Sequence, residues 1–450
     1  MKHWHFVGVS GVGMSAMARA ALAEGYRVSG CDLASSALSQ AFEEAGGRFQ
    51  LGHDPAHLQG VDRLVVSTAI QPSHPEYSAA LALGIPVARR IEVLGEFLGQ
   101  GSIGVSGTHG KTTSTAMLAA ILLEAGLDPW VAVGAYSPVL GGNFRYGTGP
   151  RLAEVDESDP GFANLNPTIS LLTNLEADHV QAPGQPPAPN YYPSFAMLEA
   201  AFTQYAQQSD SVVYNADWEI LNRVTQGLNR VSFGFEQGEY RGRILELSAS
   251  GSLIAVSHEG ESLGEIRLSV PGAHNAYNAL GALATALSAQ VDFATVARAL
   301  AKYQSAQRRF EPLGKIAGAL AFDDYAHHPT EIEATLKAAR SYGMCLRVVF
   351  QPHRYQRTSV LYMDIAKALE LADEVILLPI YAAGEADMVG VSSHQIGALL
   401  DRAGHRVSEF SSEEMGAYIK ATAQPDQIII FMGAGNVGQL GRALAEEVCG

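Results

Sequence analysis

The chain has 450 residues, long enough for more than one domain, and 47% hydrophobic against 17% charged residues supply large buried cores. A formal net charge of −16 leaves no basic excess for a nucleic acid or an anionic membrane surface, and no apolar run reaches the roughly 20 residues that span a bilayer. Three cysteines (Cys31, Cys345, Cys449) are too few and too scattered for a disulfide framework or a zinc site. Met1–Phe6 runs straight into a strand rather than a signal peptide, so a reduced, cytoplasmic protein is expected.

Apolar β-rich runs alternate with Ala/Leu-rich helical stretches, which predicts an α/β fold of parallel sheets built from βαβ units. Three blocks are read, 1–99, 100–305 and 306–450. The first opens on a strand over 3–9 and carries Gly8-Val9-Ser10-Gly11-Val12-Gly13, with Met14 next and Asp32 after a second strand at 26–28. This is a dinucleotide-type fingerprint with Ser10 in place of the second glycine, the one that lets a pyrophosphate approach. By itself it fits a nicotinamide cofactor, the diphosphate of a nucleotide-linked substrate, or a tight strand–helix turn.

The second block holds Gly104-Val105-Ser106-Gly107-Thr108-His109-Gly110-Lys111-Thr112-Thr113 between a predicted strand at 102–105 and a helix at 114–124. Backbone N–H groups and a helix N-terminus there face an anion. Gly107 and Gly110 allow close approach to phosphate oxygens, Lys111 supplies a point charge, and the Thr112 hydroxyl suits Mg²⁺. Five residues rather than four separate Gly104 from Gly110, so the spacing departs from the usual loop. Glu154-Val155-Asp156-Glu157-Ser158-Asp159 and Thr173-Asn174-Leu175-Glu176-Ala177-Asp178-His179 each follow an apolar segment. Carboxylates at strand ends beside a phosphate loop favour metal binding, and a neutral His179 completes a second metal site. Pro183–Pro189 is read as a surface loop.

The third block carries Arg308-Arg309-Phe310, Asp323–Thr330 and Phe350–Thr358 and closes on Gln427–Gly433 followed by a helix. At this point the chain resembles the Mur ligase family. Gly107–Thr113 resembles its ATP loop, Glu154–Asp159 its acidic motif, Asn174 and His179 its Asn…Asp-His motif, and Gly272–Asn278 its adenine-side motif. The third-block motifs, with Tyr381–Glu385 and Gly433–Gly438, look like those of the member that adds the first amino acid. The resemblance runs in order over essentially the whole chain.

The resemblance implies three α/β domains: Rossmann-like at both ends, with a P-loop-type ATP-binding domain of mostly parallel sheet between them. It implies phosphoryl transfer from ATP to the lactyl carboxylate of UDP-N-acetylmuramate, then displacement of phosphate by L-alanine, in peptidoglycan precursor synthesis. Mg²⁺ is the implied cofactor, as two ions, with Mn²⁺ an acceptable substitute. By motif, Gly107, Thr108, His109, Gly110, Lys111, Thr112 and Thr113 bind phosphates, and Thr112, Glu154 and His179 bind metal. His274, Asn275 and Asn278 face adenine, and Arg309 and Asp324 reach ATP from the third block. Tyr325, His327, His353, Arg354 and Arg357 bind the acceptor end. Gly8, Ser10, Gly11, Val12, Gly13, Met14 and Asp32 hold the UDP group, with Ser67 and Arg90 nearby. Lys111, Glu154, His179, Arg309, His327 and His353 form the expected catalytic set.

A site spread over three domains implies closure, with hinges near 99–101 and 304–307. The partners are small molecules, and the chain is a monomer or a homodimer. Tyr381-Ala382-Ala383 has alanine where the family shows proline. The helix after Ser194 lacks the lysine that sister ligases carbamylate, so no carbamate is expected. Two rivals stand beside this reading. A recycling ligase adds a tripeptide to the same nucleotide sugar, but Gln351–Arg354 and Tyr381–Glu385 argue for alanine. An NAD-dependent oxidoreductase leaves Lys111, Glu154 and Asn275 without a role.

Overall fold

Five consecutive buried residues make His3–Val7 the central strand of the first sheet in this computed structural model, which describes residues 1–181, 191–388 and 390–449. The proline-rich stretch 183–189 lies outside the described residues. The five strands run parallel in the order Arg48–Leu51, Arg27–Asp32, His3–Val7, Arg63–Val66, Val87–Arg89. The order reverses beside His3–Val7, so the loop leaving that strand opens at a switch point, where α/β sheets take ligands. The second strand is longer than the expected 26–28, and Asp32 is its last residue rather than one beyond it. Helix Val12–Ala23 covers the sheet with Ala16, Ala20 and Ala21, whose small side chains permit close packing.

Among the described residues the middle sheet has ten strands, with Ser102–Ser106 fully buried between parallel neighbours Ile169–Leu172 and Arg151–Glu154. Its far edge is an antiparallel meander, Tyr240–Ser248, Gly251–His258 and Glu261–Leu268. Helices Lys111–Glu124 and Ala273–Ser288 cover one face through Met117, Leu118, Ile121, Leu280 and Leu283. The first of these starts at Lys111, three residues before the expected 114, because Gly110 at φ +79° turns the chain directly into it.

The third sheet runs Glu311–Ile316, Ala319–Asp324, Gln427–Met432, Cys345–Phe350, Glu374–Leu377, Arg406–Glu409, parallel except for its first pair.

The two junctions between sheets differ in chemistry. Trp4 and Phe97 of the first part belong to the same apolar cluster as Trp130, Phe144, Phe162 and Phe202 of the second. Asn143 adds a hydrogen bond from Nδ2 to the Val12 carbonyl at 2.7 Å. The apolar clusters of the third part, by contrast, contain described residues from Phe310 onward only. No described helix is long and apolar enough to cross a membrane.

Candidate active site

The phosphate loop joins the buried strand Ser102–Ser106 to the helix that begins at Lys111. Its backbone is pinned from the neighbouring strand end. The His109 N–H donates to Asn174 Oδ1 at 2.7 Å, the Thr108 N–H to the Asn174 carbonyl at 3.2 Å, and Thr173 Oγ1 to the His109 carbonyl at 2.6 Å. Gly107 lies at φ +138° and Gly110 at +79°, and a Cβ at either would strike Thr173 or Asn278. Glycine is needed at both.

Lys111 Nζ donates to the Gly107 carbonyl at 2.7 Å and the Thr108 carbonyl at 3.1 Å, and pairs with Glu157 Oε2 at 2.7 Å. Burial alone would lower the Lys111 pKa, but the charges of Glu157 and Asp156 hold it above its usual range. Burial pushes Glu157 up to about 7, against the pull of Lys111. Thr112 Oγ1 donates to Glu154 Oε1 at 3.0 Å, and Glu154 Oε2 accepts from the Gly134 N–H at 2.6 Å. Glu154 closes its strand rather than following it. His179 sits at φ +54° with Nε2 at 3.8 Å from Asp178 Oδ2, and burial lowers its pKa, which keeps the imidazole neutral. Glu154 and His179 both act electrostatically on Lys111 or feel its charge.

Behind the loop lies a cavity of about 410 Å³. Thr113, His274, Asn275 and Asn278 line it, and Arg309 and Asp324 close it from the third domain. Half-buried His274, held near pKa 4 by desolvation and then by Arg309, has no hydrogen-bond partner at Nδ1 among the described residues. Asn275 Nδ2 donates to the Pro271 carbonyl at 2.7 Å. Asp324 accepts from the Phe310 and Ala326 N–H groups at 2.7 and 2.8 Å, and burial raises it to about 6. Asp217, Trp218 and Tyr277 also line the cavity and were missed in sequence. Asp217 follows the end of strand Ser211–Asn215, the position that made the other carboxylates noticeable.

The third domain meets the loop through charges. His109 Nε2 is 2.7 Å from Glu176 Oε2 and its Nδ1 is 3.2 Å from Glu331 Oε1. Burial opposes its protonation, yet Glu331 and Glu176 raise His109 to about 9. Thr330 donates to Glu176 at 2.8 Å. Arg357 clamps Asp178 through Nε at 3.1 Å and Nη2 at 3.0 and 3.2 Å, and Nη1 lies 3.1 Å from His353 Nδ1. Its fork is therefore engaged by Asp178 in this arrangement. Arg354, at φ +69°, is held more loosely, 3.7 Å from Glu385. The His327 ring meets His353 edge-on at 5.8 Å, and burial holds their pKa values near 3 and 2. Both Arg308 and Arg309 lie over the Tyr325 ring, at 4.9 and 5.4 Å. Asp178, Glu331 and Glu157 are pairing residues that the sequence left out of its candidate set.

The first domain contributes a second glycine loop. Gly8 turns at φ +83°, and the Ser10 N–H donates to Asp32 Oδ2 at 3.0 Å. Ser10 is not at positive φ, and its Oγ donates to the Ala34 carbonyl at 2.8 Å, so serine fits this loop without strain. Gly11 caps the helix from Val12, Gly13 lies under the Arg90 side chain, and Met14 is buried. Arg90 Nη2 reaches Asp156 Oδ2 at 3.3 Å, which links this loop to the phosphate site. The Ser67 carbonyl accepts from Arg89 at 3.0 Å.

Three stretches of the chain match descriptions of one family: residues 3–101 the Mur ligase family catalytic domain, 152–286 the Mur ligase middle domain, and 308–435 the Mur ligase glutamate ligase domain. Over 100% of its length the chain is 42% identical to the UDP-N-acetylmuramate–L-alanine ligase of Deinococcus radiodurans, covering 93% of that protein. The chain belongs to the Mur ligase family. It is also similar to the solved UDP-N-acetylmuramate–alanine ligase of Thermotoga maritima, with a TM-score of 0.85 and 28% identity over 100% of this chain and 99% of that one. A murein peptide ligase from Psychrobacter arcticus shares the fold, at a TM-score of 0.74 and 23% identity over 99% and 98%. In this Mur ligase the fold is three α/β domains with mostly parallel sheets.

Proposed function

We propose that this Mur ligase joins L-alanine to the lactyl carboxylate of UDP-N-acetylmuramate, cleaving ATP to ADP and phosphate, as a step in peptidoglycan precursor synthesis. The observation that carries the reading is one apparatus spread over all three domains, in a chain similar along its whole length to alanine-adding relatives. The domains divide at 1–99, 100–305 and 306–450. The site fits ATP. Two glycines clear the phosphate cradle, Lys111 waits in it, and His274 lines the cavity beside it.

A carboxylate oxygen of the acceptor attacks the γ-phosphorus, and the bond to the ADP oxygen breaks. The alanine amine then attacks the acyl carbon, phosphate leaves, and the amine proton passes to solvent or base. Phosphoryl transfer between anions depends on positioning and charge neutralisation. Lys111, now held by Glu157 and two loop carbonyls, is placed to follow the β- and γ-phosphates. The loop amides and the helix N-terminus add aligned donors. Hard oxygen donors at Thr112 and Glu154, with neutral His179, would hold Mg²⁺ as two ions, or Mn²⁺ in its place. Such ions neutralise phosphate charge and polarise the transferred group. His274, Asn275 and Asn278 take the adenine side, with Arg309 and Asp324 closing from the third domain.

Arg354, Tyr325, His327 and His353 present the acceptor end, with Arg357 positioned by Asp178. The Gly8–Met14 loop, Asp32, Ser67 and Arg90 take the UDP group. Seating the third domain over the cavity excludes the water that hydrolyses an acyl phosphate. ATP and a nucleotide sugar as substrates put the reaction in the cytoplasm, and one chain carries every group named.

Phosphate release from ATP and Mg²⁺ tests this. It should require both UDP-N-acetylmuramate and L-alanine and fall at least about 10³-fold in Lys111→Ala. Dependence on a tripeptide instead would reassign the chain to peptide recycling, and release needing neither would leave an ATPase.

A further inference from the structure

A second cluster of chemistry-bearing side chains lies in the first domain. His5 (strand His3–Val7), Cys31 (strand Arg27–Asp32), His57 (the turn Pro55–Leu58) and Glu76 (helix Pro75–Leu83) bring four ligand atoms within 4.8 Å of one another. His5, Cys31 and Glu76 are fully buried. Glu76 is the centre: its carboxylate lies 2.8 Å from His57 Nδ1, 3.4 Å from His5 Nε2 and 3.1 Å from Cys31 Sγ.

Ser29 Oγ lies 2.8 Å from His3 Nε2 and 2.8 Å from His5 Nδ1, and His3 Nδ1 lies 3.1 Å from the Gly60 carbonyl. His5 Nε2, on the other side of its ring, is buried, has no hydrogen-bond partner among the described residues and lies 3.4 Å from a Glu76 carboxylate oxygen. The Cys31 thiol and His57 Nδ1 converge on the same carboxylate. A single divalent cation among these four groups would engage all of them at once.

We propose that the first domain holds a structural zinc ion on His5, Cys31, His57 and Glu76. One thiolate, two imidazoles and one carboxylate are a zinc donor set, and four protein ligands make a closed site. Bonds of about 2.0–2.3 Å at tetrahedral angles put ligand atoms roughly 3.3–3.8 Å apart, so the His57–Glu76 and Cys31–Glu76 approaches must widen, while the 3.4 Å His5–Glu76 approach already fits. Outer partners are in place: Ser29 on His5, the Asp54 N–H on Glu76 at 2.9 Å, and His53 Nδ1 at 3.3 Å from Cys31 Sγ. Ion binding releases the Cys31 thiol proton to solvent, and His57, the least buried ligand, marks the route in. The site sits beneath the first glycine loop, because the Cys31 carbonyl accepts from the Gly8 and Val9 N–H groups at 2.8 and 3.1 Å. It ties four separate elements together where that loop is anchored.

The test is metal analysis of the untagged full-length protein, as isolated and after loading with Zn²⁺ or Co²⁺. About one ion per chain is expected, with a thiolate-to-cobalt charge-transfer band in the near ultraviolet. The oxygen and nitrogen donors of the nucleotide site cannot produce that band. Cys31→Ser should abolish it. Ser29→Ala and His57→Gln, which keep the carboxylate centre, should weaken zinc binding roughly 10–100-fold and supply the answer if Cys31→Ser does not fold. Folded wild type that takes up neither ion, or zinc retained equally by the wild type and these variants, would overturn the proposal.

Discussion

The seam between the first and second domains is apolar and the seam between the second and third is charged. At the first, fully buried Trp130 is tilted against Phe97 of the first domain at 6.4 Å and edge-on to Phe144 of its own domain at 5.3 Å. Across the second, Arg357 meets Asp178, His109 meets Glu331, and Thr330 meets Glu176. Opening an apolar seam exposes area that water penalises at every position. Charged groups that separate recover hydration, so the net cost of opening is smaller. This contrast predicts that the third domain separates more readily than the first. On this prediction the hinge expected at 304–307 would carry the opening, with the Gln307 N–H, bonded to the Tyr136 carbonyl at 2.8 Å, as its pivot.

The sharpest way to break this contrast is Trp130→Ala. We expect a loss of about 3–5 kcal/mol in global stability, read by denaturant unfolding, because a large cavity opens in the shared cluster. If stability fell by less than a third of that, the first seam would not be a core.

Asp178→Asn should act in the opposite sense. It leaves the buried Arg357 guanidinium poorly paired and disfavours the closed form by about 2–4 kcal/mol. Ligase turnover should fall steeply while the melting temperature of the first two domains changes little. Solution scattering with a nucleotide analogue would show the more open particle.

A pH titration refines the second seam. His109 is raised from 6.5 to about 9, so its contribution is complete below pH 6.5 and fades as pH rises through 9. Closure, followed by fluorescence transfer between the second and third domains, should weaken over that window, and His109→Asn should flatten the profile. Smallest is Asn143→Ala, which removes one hydrogen bond across the apolar seam and should cost about 1 kcal/mol in thermal unfolding with turnover unchanged.

Much of the site was readable because its parts are local in the chain. Gly107, Gly110, Lys111 and Thr112 announce a phosphate loop through their residue types and their place between a predicted strand and helix, despite a spacing from Gly104 that departs from the usual one, and the structure sets them between a buried strand and a helix start. Ser10 looked like a departure in the first loop, yet its hydroxyl has a partner at Ala34. The antiparallel meander from Tyr240 to Leu268 was not legible, since its alternating exposed and buried residues carry no βαβ signal.

The sequence by itself determined three α/β blocks, the phosphate loop, the carboxylates at strand ends and the family motifs, because each depends on residues within a few positions of one another. Only the tertiary structure decided that Asp178 engages Arg357, 179 residues away, and that His109 is charged by two carboxylates from different domains. It also brought Cys31 beside His5, His57 and Glu76, residues that chain spacing does not connect. Charges and metal ligands interact through space over a few ångströms, and chain separation carries no information about that distance until the fold has closed it.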